Sequence, residues 1–200
     1  MSIDPLLGSG TRRDGDEVGA DVGVLIDRAH AAMAAYAEEI CRSGQPRIDE
    51  AVSAVAWSLY RPDNARRFAE LAVAVTGMGD VESKVIKNQR KTFGTLRDLL
   101  AARSTGIIET LPEQGIVKYA KPVGVVGALT PSTNPSATPV NNAMMAVKGG
   151  NAIIIAPPPG PGRRPRRWWR QCARSWRGLV CPRTSCSCCH GPSPAPRPPA

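Results

Sequence analysis

The residues best placed to do chemistry lie between positions 122 and 156. Pro122-Val123-Gly124-Val125-Val126-Gly127-Ala128-Leu129 is a continuous apolar run, the pattern of a strand buried on both faces. It ends in Thr130-Pro131-Ser132-Thr133-Asn134-Pro135. Asn134 has the chemistry of an N-cap and Pro135 fits a first helical position. A helix is therefore expected to follow to about Lys148, with Val140, Met144 and Val147 apolar and Gly149-Gly150 as its terminator. Asn151-Ala152-Ile153-Ile154-Ile155-Ala156 then reads as a second buried strand. Strand, helix and strand at this spacing make a βαβ unit with a right-handed crossover. The loop 130–134 falls at a strand's carboxyl end and a helix N-terminus. Unpaired N–H groups and the helix dipole favour phosphates or developing negative charge there. The same residues also satisfy a plain turn in which Asn134 only caps the helix.

Other chemistry-bearing residues are weaker candidates. Cys41 falls on a helix, expected on or near its buried face, and reads as an inert thiol. Gly160-Pro161-Gly162-Arg163-Arg164-Pro165 imitates a dinucleotide loop. Pro165 stands where the third small residue belongs, and Pro161 and Arg163 crowd the turn, so it is rejected. Cys181, Cys186, Cys188, Cys189 and His190 suggest zinc, but nothing supplies the surrounding partners such a site needs, and no metal ligand is assigned. Arg163, Arg164, Arg166, Arg167 and Arg170 with Trp168 and Trp169 could grip nucleic acid by charge and stacking. Nucleic acid is nonetheless not the expected partner.

The elements that must position the loop come before it. Leu25, Ala29, Met33, Tyr36 and Ile40 put one apolar face on a helix over 21–42, ended by Gly44 and Pro46. Ile48, Val52, Val55 and Leu59 mark a second helix, closed by Pro62. Asp63 is expected to cap a third that carries Phe68, Leu71, Ala72 and Val75. Gly77 and Gly79 break it. A fourth helix is expected over 81–102 with Val85, Phe93, Leu96 and Leu100 inward and its charges on a solvated face. The period then changes. Segments 106–109 and 115–119 read as two strands of an antiparallel arm.

Charge divides the chain in two. Of 200 residues, 1–157 hold 17 Lys+Arg and 17 Asp+Glu, whereas 158–200 hold nine Arg and no Lys, Asp or Glu. The net charge of +9 therefore belongs to the last 43 residues, as do five of the six Cys and three of the four Trp. Apolar content of 42% suffices for a core. No apolar run is long enough to span a membrane, and Met1 to Gly19 lacks the core of a signal peptide, so a cytoplasmic location is expected. The expected organisation is a disordered N-terminus over 1–20, a structured body over 21–157 and a disordered tail over 158–200.

The body resembles the CoA-acylating aldehyde dehydrogenases. The resemblance rests on Thr130-Pro131-Ser132-Thr133-Asn134-Pro135, on Ala137-Thr138-Pro139, and on Lys148-Gly149-Gly150-Asn151-Ala152-Ile153-Ile154. It also rests on the string from Thr76 through Gly77-Met78-Gly79 to Lys87-Asn88 and on Gly115-Ile116-Val117 running into Lys121-Pro122-Val123. It covers about 21–157, and the acylating sulfoacetaldehyde enzymes feel nearest. It implies an α/β chain, the N-terminal part of an aldehyde dehydrogenase fold: helices, an oligomerisation arm, then a βαβ unit of a Rossmann-like sheet. It implies NAD or NADP as cofactor, coenzyme A as co-substrate, a small aldehyde as substrate and a homo-oligomer for the full-length enzyme. A catalytic Cys attacks the aldehyde, hydride leaves to the nicotinamide, and CoA takes the acyl group. The loop Thr130, Pro131, Ser132, Thr133, Asn134 and Pro135 would lie on the cofactor side, with Thr133 aligned to the oxyanion Asn of non-acylating relatives. The family's catalytic Cys would lie beyond residue 200, so no residue here is assigned a catalytic role.

The tail reads as a frameshift product. Leu179 to Cys189, back-translated with GC-rich codons and read two bases later, gives Gly-Val-Pro-Ala-Asp-Leu-Val-Gln-Leu-Leu, a string expected of the family at this point. The chain is then a truncated, inactive fragment. The alternative is a non-catalytic binding module whose basic tail holds nucleic acid.

Overall fold

The computed structural model describes residues 15–156. Its first helix, α1 (Gly15–Ser43), begins six residues before the expected Asp21. Ala29 and Tyr36 are buried on its inner face and Ile40 packs against the core. Gly44, at φ 63°, takes a left-handed turn that a side chain would strain, and its N–H reaches Ile40 O at 2.7 Å. Helix α2 (Gln45–Tyr60) starts at once, with Pro46 in its first turn, and buries Ile48, Val52, Val55, Ala56 and Leu59. Helix α3 (Pro62–Thr76) opens on Pro62 instead of being held off by it, because a first-turn N–H has no partner to lose. Asp63 is not its cap. It sits in the first turn, 3.0 Å from Arg61.

Helix α4 (Val81–Ala101) is capped by Asp80, whose carboxylate accepts from Ser83 N at 2.8 Å. Its inner face departs from the expected stripe. The buried side chains are Lys84, Asn88 and Thr92, one turn apart, while Phe93 is 53% and Leu100 43% exposed. Phe93 stands outside against Tyr60, ring centres 5.9 Å apart. The neighbours explain the reversal: Asn88 finds a backbone carbonyl of α3 at 3.1 Å, so hydrogen bonding outweighs the apolar period there. Leu96 and Leu99 keep the apolar contact with the core.

Strands β1 (Gly106–Leu111) and β2 (Ile116–Ala120) form the antiparallel arm, joined by a short 3-10 turn and shifted in register between Ile107 and Glu109. Ile107, Ile108, Ile116, Val117 and Tyr119 are all exposed along it. Strands β3 (Val125–Leu129) and β4 (Ala152–Ala156) pair in parallel from Val125↔Ala152 to Leu129↔Ala156. Helix α5 (Ala137–Lys148) connects them, giving the βαβ unit. The strands are not buried on both faces as the apolar run suggested. β3 is half-buried or exposed along its length, and Leu129 at its end is 76% exposed, since among the described residues it pairs with β4 alone.

Two side chains fix the crossover. Asn151 Oδ1 accepts from Val123 N at 2.7 Å and Gly124 N at 3.0 Å, tying the start of β4 to the approach of β3. Lys148, 4% exposed at the end of α5, reaches Asp49 of α2 at 2.6 Å, and Gln45 donates to the same carboxylate oxygen at 2.9 Å.

Tyr36 supplies a first test. Burial pushes its phenol up to about 12, with Arg47 opposing and Glu39 and Asp49 adding. The unfolded chain therefore ionises first as pH rises through 10. Stability from this group is complete below pH 10 and lost between 10 and about 12, about 3 kcal/mol in all. Tyr36→Phe is expected to flatten the alkaline limb of the urea-midpoint profile across that window. An unchanged limb would refute the assignment.

Candidate functional site

The loop after β3 is pinned at its base. Thr130 is buried, and both its N–H and its hydroxyl donate to Ala156 O, at 3.1 and 3.0 Å. That hydroxyl therefore holds the two strand ends together and is not turned to a ligand. Pro131, Ser132 and Thr133 are exposed, Asn134 is half-buried, and Pro135 is buried. The six candidate residues thus divide into two buried anchors and a four-residue face between them.

The far end is pinned from α4. Ser136 is the residue before α5, and its hydroxyl donates to Asn88 Oδ1 at 2.7 Å instead of capping its own helix. Asn134 is not the cap that the sequence suggested, since α5 starts three residues later, at Ala137. Its Oδ1 is buried without a partner, as are Asn141 Oδ1 on α5 and Thr92 Oγ1 on α4. An unpaired buried acceptor costs about 1–3 kcal/mol unless a donor reaches it. The first turn of α5 carries no acidic side chain. An anion near the exposed Ser132 and Thr133 would therefore meet no carboxylate from that turn, although Pro139 leaves the turn one N–H short. A cleft of about 400 Å³ lies apart from this loop, between β3 at Gly127 and α5 at Asn142 and Met145.

Nearby electrostatics are mild. Burial, then the charge of Lys87, holds the Lys84 ammonium below the usual lysine range, with Asp80 opposing. Among the described residues no three His, Cys, Asp or Glu side chains gather as a metal site, and no helix is long and apolar enough to cross a membrane. Cys41 is exposed on α1, not on its buried face, because Ile40 takes the inward position beside it. The tail candidates, including Cys181, His190 and the Arg163–Arg170 cluster, lie outside the described residues. Sequence reasoning missed Ser136 and Asn88 as parts of the site. The available signal was an Asn on what was expected to be an apolar helix face.

No family model matches the chain. Its N-terminal part is 47% identical over 138 residues to the sulfoacetaldehyde dehydrogenase (acylating) of Cupriavidus necator, 69% of this chain and 27% of that protein. It is 42% identical over 138 residues to the succinate-semialdehyde dehydrogenase (acetylating) of Clostridium kluyveri, 68% of this chain and 28% of that protein. The matched stretch thus spans about a quarter of the length of these curated relatives. Among solved structures, an acetylating aldehyde dehydrogenase from Geobacillus thermoglucosidasius superposes with a TM-score of 0.70 at 29% identity, covering 88% of this chain and 38% of that one. A Rhodopseudomonas palustris propionaldehyde dehydrogenase with bound CoA gives 0.59 at 25% identity, covering 79% of this chain and 34% of that one.

Proposed function

We propose, from a chain whose N-terminal part is homologous to the CoA-acylating aldehyde dehydrogenases, that residues 21–156 are the cofactor-side portion of such an enzyme. The observation that carries this reading is the 47% identity to an acylating sulfoacetaldehyde dehydrogenase across 138 residues, which span the loop and both its anchors. In the reaction, NAD(P) would accept the hydride lost from the aldehyde carbon and coenzyme A would take the acyl group. The loop fits a place beside that carbon: it is exposed, lies at a strand's carboxyl end, and leads into a helix N-terminus. Ser132, Thr133 and the Asn134 carboxamide would bear on the ligands, and Thr130 and Pro135 would hold the loop's ends. The described residues supply no base or nucleophile beside the loop, so they would bind and orient, not react. A propionaldehyde dehydrogenase solved with CoA supports coenzyme A as the co-substrate. An anionic aldehyde, as in the sulfoacetaldehyde and succinate-semialdehyde relatives, is the substrate class we favour.

This chain is, on the same reading, an inactive fragment of that enzyme, a soluble cytoplasmic protein in its full-length homo-oligomeric form. The abrupt change of composition at 158, from balanced charge to nine Arg without an acid, supports a shifted reading frame. Sequencing the gene through codons 155–162 tests it. A one-base correction is expected to open a long frame containing a downstream cysteine. A frame that closes within a few codons after either correction would refute the shift.

A further inference from the structure

We propose that Asn88 is a positioning residue: through Ser136 it holds the loop 131–136 in one conformation from the neighbouring helix. This rests on reading that loop as the cofactor-side loop, but its test does not. Asn88 is fully buried on α4. Its Nδ2 donates to Ala65 O in the first turns of α3 at 3.1 Å, and its Oδ1 accepts the Ser136 hydroxyl proton at 2.7 Å. The chemistry leaves one orientation of the amide. A carbonyl can only accept, so the NH2 end must face Ala65, and the oxygen is then the end left for Ser136. Both bonds are closed off from water, so losing either leaves a buried polar group unpaired.

The consequence is mechanical. Thr130 ties the loop's first residue to β4, and Asn88 ties its last to α3 and α4. The exposed face Pro131–Thr133 is thus strung between two fixed points only a few residues apart. A ligand meeting this loop would pay little ordering entropy. The anchor comes from a segment some fifty residues upstream of the loop it holds, inside the string Thr76 to Asn88.

Hydrogen exchange on the full 200-residue chain tests this. Ser136→Ala, which removes only the loop-side hydroxyl, is expected to speed exchange of the amides of Asn134, Ser136, Ala137 and Thr138 about tenfold. Amides of Val52 to Leu59 should keep their rates, and Ser136→Thr should restore the loop. Asn88→Ala is expected to produce the same local effect plus faster exchange in the first turns of α3. Uniform acceleration across loop and α2 core would reduce Asn88 to a general stabiliser and overturn the proposal. Unchanged loop rates in Ser136→Ala would overturn it as well. Failure of a frame-corrected enzyme to turn over aldehyde would count against the functional reading alone.

Discussion

The 200-residue chain, given sulfoacetaldehyde or acetaldehyde with coenzyme A and NAD(P)+, is expected to form no measurable NAD(P)H. Acyl transfer through this chemistry needs a thiolate aimed at the aldehyde carbon beside the hydride acceptor. Among the described residues the cysteine is Cys41, exposed on α1, with no part in the loop. Removing a nucleophile from a working site costs on the order of 10⁶-fold in rate, and among the described residues no thiol stands beside the loop. The frame-corrected protein is expected to be faster by at least about 10⁴-fold. Steady-state absorbance at 340 nm, with and without coenzyme A, reads both. Turnover by the 200-residue chain that disappears on Thr133→Ala would sink the fragment reading.

The second large effect is on stability. Asp49→Ala is expected to destabilise the body by about 3 kcal/mol, because it leaves the Lys148 ammonium buried with its ion-pair partner gone. Lys148 is 4% exposed and Asp49 31%, so the two sides of the pair are not equivalent. Lys148→Met should cost less, about 1 kcal/mol: Asp49 keeps Gln45 and some water, and the methionine fills the space of the lysine stem. The asymmetry is the test. Chemical denaturation of both variants giving equal losses would show that the pair is screened like a surface bridge. The strain would fall on the α2–α5 contact, so exchange protection should drop first in α5.

Helix count, arm and βαβ unit were legible because each rests on local pattern. The three-to-four spacing of Ala29, Met33, Tyr36 and Ile40 gives α1 whatever its partners are. The errors fall where a residue's fate depends on a distant chain segment. Phe93 looks like core by hydrophobicity, yet α3 and Ser136 offer Asn88 hydrogen bonds on the opposite face, so the helix rolls. Asn134 has the right chemistry for a cap, yet the loop runs on to Ser136, whose hydroxyl is already taken by α4. The loop itself was legible as the strand-to-helix turn of an α/β unit. What holds it was not, since Thr130 with Ala156 and Ser136 with Asn88 are pairs 26 and 48 residues apart. Periodicity carries no information about such pairings.

The two-stranded β3–β4 sheet also sets the protein's fate in a cell. Among the described residues β3 and β4 pair only with each other, which leaves each strand one edge without a described partner, and Leu129 at the end of β3 is exposed. These are the features that chaperones bind and that quality-control proteases follow to a cleavable chain. The polypeptide should therefore be short-lived after synthesis. Its steady-state amount is then expected to be set by clearance more than by transcription, with far less protein than messenger.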